Sequence, residues 1–382
     1  MILFLIIPVA IAIPVAIYLY HFFKRVLGFW GMDEQKTGRK VLAVILTIIF
    51  TFLAVNIWGL AAVIILHAII ISILLDLACV IWRRGNFPKK KVLRNVYRCG
   101  LVPIVCSLII LGYGYYNMTH AREKAYTVHT EKNISRDYKV AMMSDLHYET
   151  TMKAEKLKEY CAEIEAEKPD VLLLCGDIVD ESTSLQGMME ALQILGSVKT
   201  TYGVYYVYGN HDMATYSASS EFGEIELAKQ LIKSGIHILQ DTSVALNDEF
   251  VLGGRMDLSY SRGDDVPPRS STKGIFSEKN KEAFTLLLDH QPVDLKENEE
   301  AGVDLQLSGH THGGQIWPIG LISDLLGFGE LNYGYEKSGD FQIIVSSGIG
   351  GWGYPIRTGC HSEYLMAVSY THLRAHETLS DL

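Results

Sequence analysis

Apolar residues run almost unbroken through the first third of the chain, then give way to short apolar runs separated by polar and amphipathic stretches. Residues 2–23 form one span long enough to cross a bilayer, and Pro8 and Pro14 inside it are tolerated by membrane helices. Residues 41–82 carry a single charge, Asp76; at about 20 residues per crossing they suit two helices, at about 41–57 and 60–82. Asn56-Ile57-Trp58-Gly59 supplies the turn between them. A fourth span covers about 100–116 and ends in tyrosines suited to a membrane interface. His67 and Asp76 lie nine positions apart in the third span, about 180° around a helix, so they share no face. Hydrogen bonding between helices, or a place at the cytoplasmic edge, is expected of them rather than transport.

Basic residues orient these spans. The first loop holds Lys24, Arg25, Lys36, Arg39 and Lys40, and the third holds Arg83, Arg84, Lys89, Lys90, Lys91, Arg94 and Arg98. The turn at 56–59 and the N-terminus have none. Both basic loops are therefore expected in the cytoplasm, which puts the N-terminus and everything after residue 118 outside it. No basic stretch precedes the first span, so it reads as an anchor and not as a secretory signal peptide.

Beyond this region, residues 119–137 are polar and form a linker with an opening strand at 125–129. The hydrophobic pattern then predicts strands at 138–143, 171–175, 203–208, 236–239, 243–246, 250–252, 303–307, 341–346 and 363–368. Helices are predicted at 152–167, 184–195, 221–233 and 277–288. The first places Leu157, Tyr160, Cys161 and Ile164 on one stripe, and the last has Ser277 as its N-cap. Strands alternating with helices predict an α/β layered domain over 138–369, with its site on the loops at strand ends. Residues 370–382 lose the strand pattern and read as a non-native tail, so His372 and His376 are left out of the site.

Composition sharpens this division. The hydrophobic fraction of 49% is concentrated before residue 118, and the acidic excess behind the chain's net charge of −9 lies in the later part, which argues against a nucleic-acid-binding surface. Six cysteines stand without a CxxC spacing, which argues against a thiolate zinc site or a redox pair and for small buried side chains.

The candidate chemistry lies in the loops. Gly309-His310-Thr311-His312-Gly313-Gly314 follows a strand, and in an extended backbone its two imidazoles would leave on the same side. Asp145 and His147 repeat that spacing after the strand at 138–143, and Asp177 follows a strand and a glycine. Asn210 adds a neutral carbonyl oxygen and His290 a further imidazole. A set of oxygen and nitrogen donors without sulfur suits Mn, Fe or Zn better than Ca or Mg. Seven such ligands exceed the need of one ion but suit two ions sharing a carboxylate, the arrangement that clamps the attacking and leaving oxygens of a phosphoryl transfer.

At these residues the chain resembles the calcineurin-like metallophosphoesterases. Their pattern D-x-H, G-D-x-x-D, G-N-H-[DE], H and G-H-x-H stands here as Asp145-Leu146-His147, residues 176–180, Gly209-Asn210-His211-Asp212, His290 and Gly309-His310-Thr311-His312. The glycine-rich stretches at 309–315 and 348–357 look most like the YkuE-type bacterial branch, which includes membrane-attached extracytoplasmic members. The resemblance implies a four-layer α-β-β-α sandwich of two mixed sheets, here preceded by an all-α membrane region of four helices. It also implies that Asp145, His147 and His312 hold one divalent ion, that Asn210, His290 and His310 hold a second, and that Asp177 bridges them. Manganese is the expected metal, with iron or zinc as alternatives. His211 would protonate the leaving oxygen, with Asp212 orienting its ring, and water acidified by the two cations would attack phosphorus in line.

Other residues are read more plainly. Asp180 is expected to stabilise a turn and not to bind metal. Arg357 has two readings, a bidentate contact to substrate phosphate or a brace for its own loop. Trp317, Tyr333, Trp352 and Tyr354 are candidates for the pocket mouth. The expected substrate is a phosphomonoester or phosphodiester, from a lipid or the cell envelope. Two rival readings are a catalytically silent membrane sensor that only binds a phosphate ligand, and a transporter.

Overall fold

Two units make up the chain in this computed structural model, Met1–Gly114 and Tyr115–Leu382. The structure describes residues 2–33, 35–56, 59–84, 91–261, 268–277 and 282–371. Trp58 and the predicted tail beyond residue 371 lie outside them.

The apolar region forms α1 (Ile2–Phe29), α2 (Thr37–Val55), α3 (Leu60–Arg84), α4 (Lys91–Arg98) and α5 (Leu101–Thr119), and four of these are long and apolar enough to cross a membrane. Asp76 in α3 is not isolated. Its carboxylate accepts hydrogen bonds from Arg25 at 2.8 Å, Tyr18 at 2.8 Å and Tyr97 at 2.6 Å, ties that link α1, α3 and α4. His67 bonds the Val63 carbonyl one turn back in its own helix at 2.8 Å. A charge inside an apolar bundle is tolerated when it is paired in this way.

The second unit is built on two six-stranded sheets. In the first, β1 (Arg122–Thr130), β12 (Glu363–Thr371), β2 (Tyr138–Met143), β3 (Val171–Cys175), β4 (Val204–Val207) and β5 (Ile236–Ile238) lie side by side in that order. In the second, the order is β10 (Gly334–Ser338), β11 (Phe341–Val345), β9 (Leu305–Ser308), β8 (Phe284–Leu288), β7 (Phe250–Gly254) and β6 (Thr242–Asn247). Strands β2, β3, β4 and β5 run parallel, as do β7, β8, β9 and β11. Parallel neighbours deliver their C-terminal loops to one end of each sheet, where α/β folds carry their sites.

Side-chain alternation sorts the core into layers. Leu172 and Leu174 face Leu157, Ile164, Leu192 and Leu231 of the helices α6 (Ala154–Ala166), α7 (Leu185–Gly196) and α8 (Glu224–Lys233). Leu173 and Cys175 point the other way and pack between the sheets with Leu286, Leu288, Leu305 and Leu307. On the far face of the second sheet, Leu287, Ile343 and Val345 meet Ile275 and Phe276, in and just after α9 (Thr272–Ile275), with Leu295 of α10 (Leu295–Glu300) against them. The result is the α-β-β-α sandwich, and truncating one of its buried leucines to alanine costs about 2–5 kcal/mol.

One predicted helix is a strand. Residues 277–288 were expected to be helical from Ser277, but Phe284-Thr285-Leu286-Leu287-Leu288 is the fully buried β8 and Ser277 follows the end of α9. A continuous apolar run covered on both faces carries no period of two, so it resembles a buried helix segment. Helices α9, α10 and α11 (Ile319–Leu326) and the edge strand β10 were not expected. The last strand also runs three residues past its predicted end, pairing Tyr370 with His129 and Thr371 with Thr130, so the strand takes in the first two residues assigned to the tail.

Candidate metal centre

Each motif follows a strand end. Asp145 comes after β2, Asp177 after β3, Asn210 after β4, His290 after β8 and His310 after β9. The turns are tight. Asp145 (φ 52°), His147 (φ 42°), Asp177 (φ 51°), His310 (φ 71°) and His312 (φ 52°) all adopt left-handed backbone conformations. Such conformations cost about 1–3 kcal/mol each in non-glycine residues and cluster where a site over-determines them. They also correct the extended-backbone expectation, because His310 and His312 enter different clusters. A side chain at Gly176 (φ 77°) would come within 2.6 Å of the Gly209 nitrogen and the His290 ring, so that position must stay bare.

Two groups of donors result. Asp145, His147 and His312 form one, and Asp177, His290 and His310 the other, with the ligand atoms within each lying within 4.8 Å of one another. Asp177 touches both. Its Oδ2 is 3.1 Å from His290 Nε2 and 3.8 Å from His147 Nε2, and its Oδ1 accepts the His211 backbone N–H at 2.8 Å. Asp145 Oδ1 accepts the His310 N–H at 2.9 Å and lies 3.7 Å from His312 Nε2, so it too ties loops of both sheets together.

The donor set fits cations. His290 Nδ1 donates to the Cys175 carbonyl at 2.7 Å, and His147 Nδ1 donates to Asp180 Oδ2 at 3.1 Å. These bonds anchor Nδ1 of each ring and aim Nε2 inward, the usual arrangement behind metal-binding imidazoles. His147 Nε2, His290 Nε2, His312 Nδ1, Asp145 Oδ2 and Asn210 Oδ1 are buried and have no hydrogen-bond partner. Buried polar atoms are normally satisfied, so this run of orphans on Asn210 and the residues of the two donor groups points to cations. Burial would raise the Asp177 carboxyl, but the imidazoles of His290, His147 and His211 hold it well below the usual carboxylate range. Burial and neighbouring imidazoles (with Arg357 beside His312) depress His310 and His312, which keeps both rings neutral as ligands must be.

Beside the first cluster, the His211 ring lies 5.4 Å from that of His147 and is flanked by Tyr216 at 5.1 Å and Trp352 at 5.5 Å. Its Nδ1 donates to Glu181 at 3.0 and 3.1 Å. Asp212, expected to orient this ring, is fully buried and spends its carboxylate on the backbone N–H groups of Asp177 at 2.7 Å, Ile178 at 2.9 Å, Val179 at 3.1 Å and Gly209 at 2.6 Å. It is a brace for the Asp177 turn, and the ring's partner is Glu181, which sequence reasoning missed. Adjacency to the G-D-x-x-D motif was the only signal for Glu181. Burial lowers the His211 pKa, but the hydrogen bond to Glu181 and the nearby carboxylates raise it overall.

Asp180, buried beside the cluster, caps its own turn at Ser182 and holds His147. Arg357 is fully buried and does not reach toward substrate. Its guanidinium donates to the carbonyls of His312 at 2.8 Å and Ser347 at 2.7 Å, and to Gly350. The loop-bracing reading therefore replaces the phosphate contact, because both terminal nitrogens of the buried guanidinium are engaged by backbone carbonyls. Tyr333 donates to Glu363 at 2.8 Å, while Trp317 is part-exposed at the start of the stretch leading to α11.

Residues 138–314 match the sequence profile of the calcineurin-like phosphoesterases. An uncharacterized metallophosphoesterase of Aquifex aeolicus is 31% identical over 255 residues, spanning 65% of this chain and 92% of the relative. The uncharacterized metallophosphoesterase YkuE of Bacillus subtilis is 27% identical over 64% of this chain and 85% of its own length. A bovine transmembrane protein with metallophosphoesterase domain is 28% identical over 59% of this chain and 51% of its own. With its four long apolar helices the chain is a membrane protein. Profile, relatives and the paired donor clusters agree: the chain belongs to the calcineurin-like metallophosphoesterase family.

Proposed function

We propose that this protein is a membrane-bound hydrolase that cleaves phosphomonoesters or phosphodiesters at a centre of two divalent cations. The carrying observation is Asp177, whose one carboxylate oxygen lies 3.1 Å from the imidazole of one donor cluster and 3.8 Å from that of the other. Asp145, His147 and His312 would hold one cation, Asn210, His290 and His310 the other, and Asp177 both. Bound there, the cations supply Lewis acidity, which makes a water acidic near neutral pH and draws charge off the phosphoryl oxygens.

The chain's own groups do the rest. Asp180 and the Cys175 carbonyl hold the His147 and His290 rings so that each presents Nε2. Asp212 fixes the Asp177 turn through four backbone N–H groups. Glu181 engages His211 Nδ1, leaving Nε2 to deliver a proton to the departing ester oxygen. Tyr216 and Trp352 flank that ring and limit its rotation. A silent binding module would have no use for a leaving-group acid held by its own carboxylate, and this favours the enzyme over the sensor.

Loop charge supports placing the hydrolytic unit outside the cytoplasm, where phosphate esters of lipids or envelope polymers are the substrates in reach. The test is hydrolysis of an aryl phosphate ester and an aryl phosphodiester by the purified full chain in detergent with Mn²⁺. Turnover that a chelator stops and added metal restores is expected. Failure on both substrates, with two cations bound, would leave a binding module.

A further inference from the structure

The helix α11 stands out because it has no buried face. None of its eight residues is buried, and Ile319, Leu321, Ile322, Leu325 and Leu326 are all exposed, Leu325 at 81%, with Phe328 just beyond at 66%. A helix on a soluble surface normally turns its apolar stripe inward and its charges outward. Here Asp324 is the helix's single charge. A contiguous apolar patch of this kind marks a surface that something covers.

Hydrogen bonds within the second unit place the helix close to where the chain leaves its last span. Asn117, in the final turn of α5, donates to the Arg357 carbonyl at 3.4 Å, and Met118 accepts from Ser362 at 3.3 Å. Thr358 and Gly359 donate to the Gln315 carbonyl at 2.9 and 3.0 Å, and the Trp317 N–H donates to Thr358 at 2.9 Å. Gln315 in turn donates to the carbonyls of Trp352 and Tyr354 at 3.0 and 3.3 Å. The end of the span, the 350–359 loop and the stretch from which α11 grows are thus one hydrogen-bonded body. Residues 120 and 121 alone separate α5 from β1, so the chain passes from its last apolar helix directly into this body.

We propose that α11 and Phe328 insert into the lipid surface of the membrane in which the chain's own spans sit. The patch has no lysine or arginine between residues 315 and 336, so lipid would be engaged by apolar burial and not by headgroup charge. Trp317, part-exposed just before the helix, suits the headgroup level of such a contact. The surface is independent of the hydrolytic reading and stands or falls without it.

The experiment places a photo-crosslinker, Leu325→benzoylphenylalanine, in the full chain within native membranes, with Lys199→benzoylphenylalanine as the control. Phospholipid adducts at 325 and none at 199 are expected. Adducts to a second copy of the chain, to another protein or to nothing overturn the proposal. In phospholipid nanodiscs, Leu321→Gln with Leu325→Gln should lower lipid adducts from Phe328→benzoylphenylalanine by at least about tenfold. The same pair should leave turnover of a water-soluble aryl phosphate unchanged, which separates lost docking from a damaged site. An unchanged adduct yield in that pair also overturns the proposal.

Discussion

His211 has two ring nitrogens and two tasks. Nδ1 is occupied by Glu181, so in the proposed reaction the leaving group's proton comes from Nε2. His211→Ala should therefore cost about 10²–10⁴-fold on an alkyl phosphate ester, whose leaving oxygen needs a proton, and far less on a nitrophenyl ester. Glu181→Gln keeps an acceptor but loses the charge, and should show the same selectivity with a smaller loss of about tenfold, read as kcat on the two substrates. Asp212→Asn should instead harm both substrates alike, because it frees the Asp177 turn. Arg357 makes the opposite kind of prediction. Arg357→Met removes the guanidinium from the carbonyls of Ser347 and Gly350, at about 1–3 kcal/mol each, and one of several donors from that of His312, so it should lower the thermal midpoint sharply without raising KM selectively. At this scale the sequence made the two candidate donor groups legible, because Asp145, His147, Asp177, His290, His310 and His312 are chemically specialised and fall at strand ends. It hid Glu181 and the burial of Arg357, because an exposed and a buried arginine are spelled alike and a carboxylate one residue past a motif has no spacing rule.

Among the elements, the legible ones have a period or clear stops at both ends. Strands β2 and β3 match their expected limits; β3 is covered on both faces, but Pro169 before it and Gly176 after it bound a run too short for a helix. Strand β8 was hidden because its residues are covered on both sides by other layers, so burial erased the alternation that marks a strand. Helix α11 was hidden for the converse reason, since its apolar residues face no core. Strand β12 offers a pH test. Glu363 at its start is buried, which raises its carboxyl pKa, while Tyr333, the Ser347 N–H and Arg357 act to lower it, and the net shift is upward. A carboxyl raised on folding adds stability below its unfolded pKa and loses that stability as pH rises through the folded value. Glu363→Gln, which mimics the neutral acid, should thus melt higher than the parent at pH 8 and no higher at pH 4, followed by differential scanning calorimetry of the full chain.

The whole molecule joins a region of long apolar helices to a metallophosphoesterase unit, and the division falls within α5. That division was readable because a 20-residue apolar span and an amphipathic helix have different lengths and compositions. The side of the membrane rests on loop charge alone. Lys199 is 87% exposed in the second unit, so Lys199→Cys should react with an impermeant maleimide on intact cells well above the parent background, and labelling only after lysis would reverse the orientation. The central claim is that two cation sites share Asp177, and metal content measures it most directly. Purified full chain saturated with Mn²⁺ and freed of excess metal should retain two equivalents per chain, falling below one in Asp177→Asn. One equivalent at saturation in the parent, unchanged by Asp177→Asn, would contradict it.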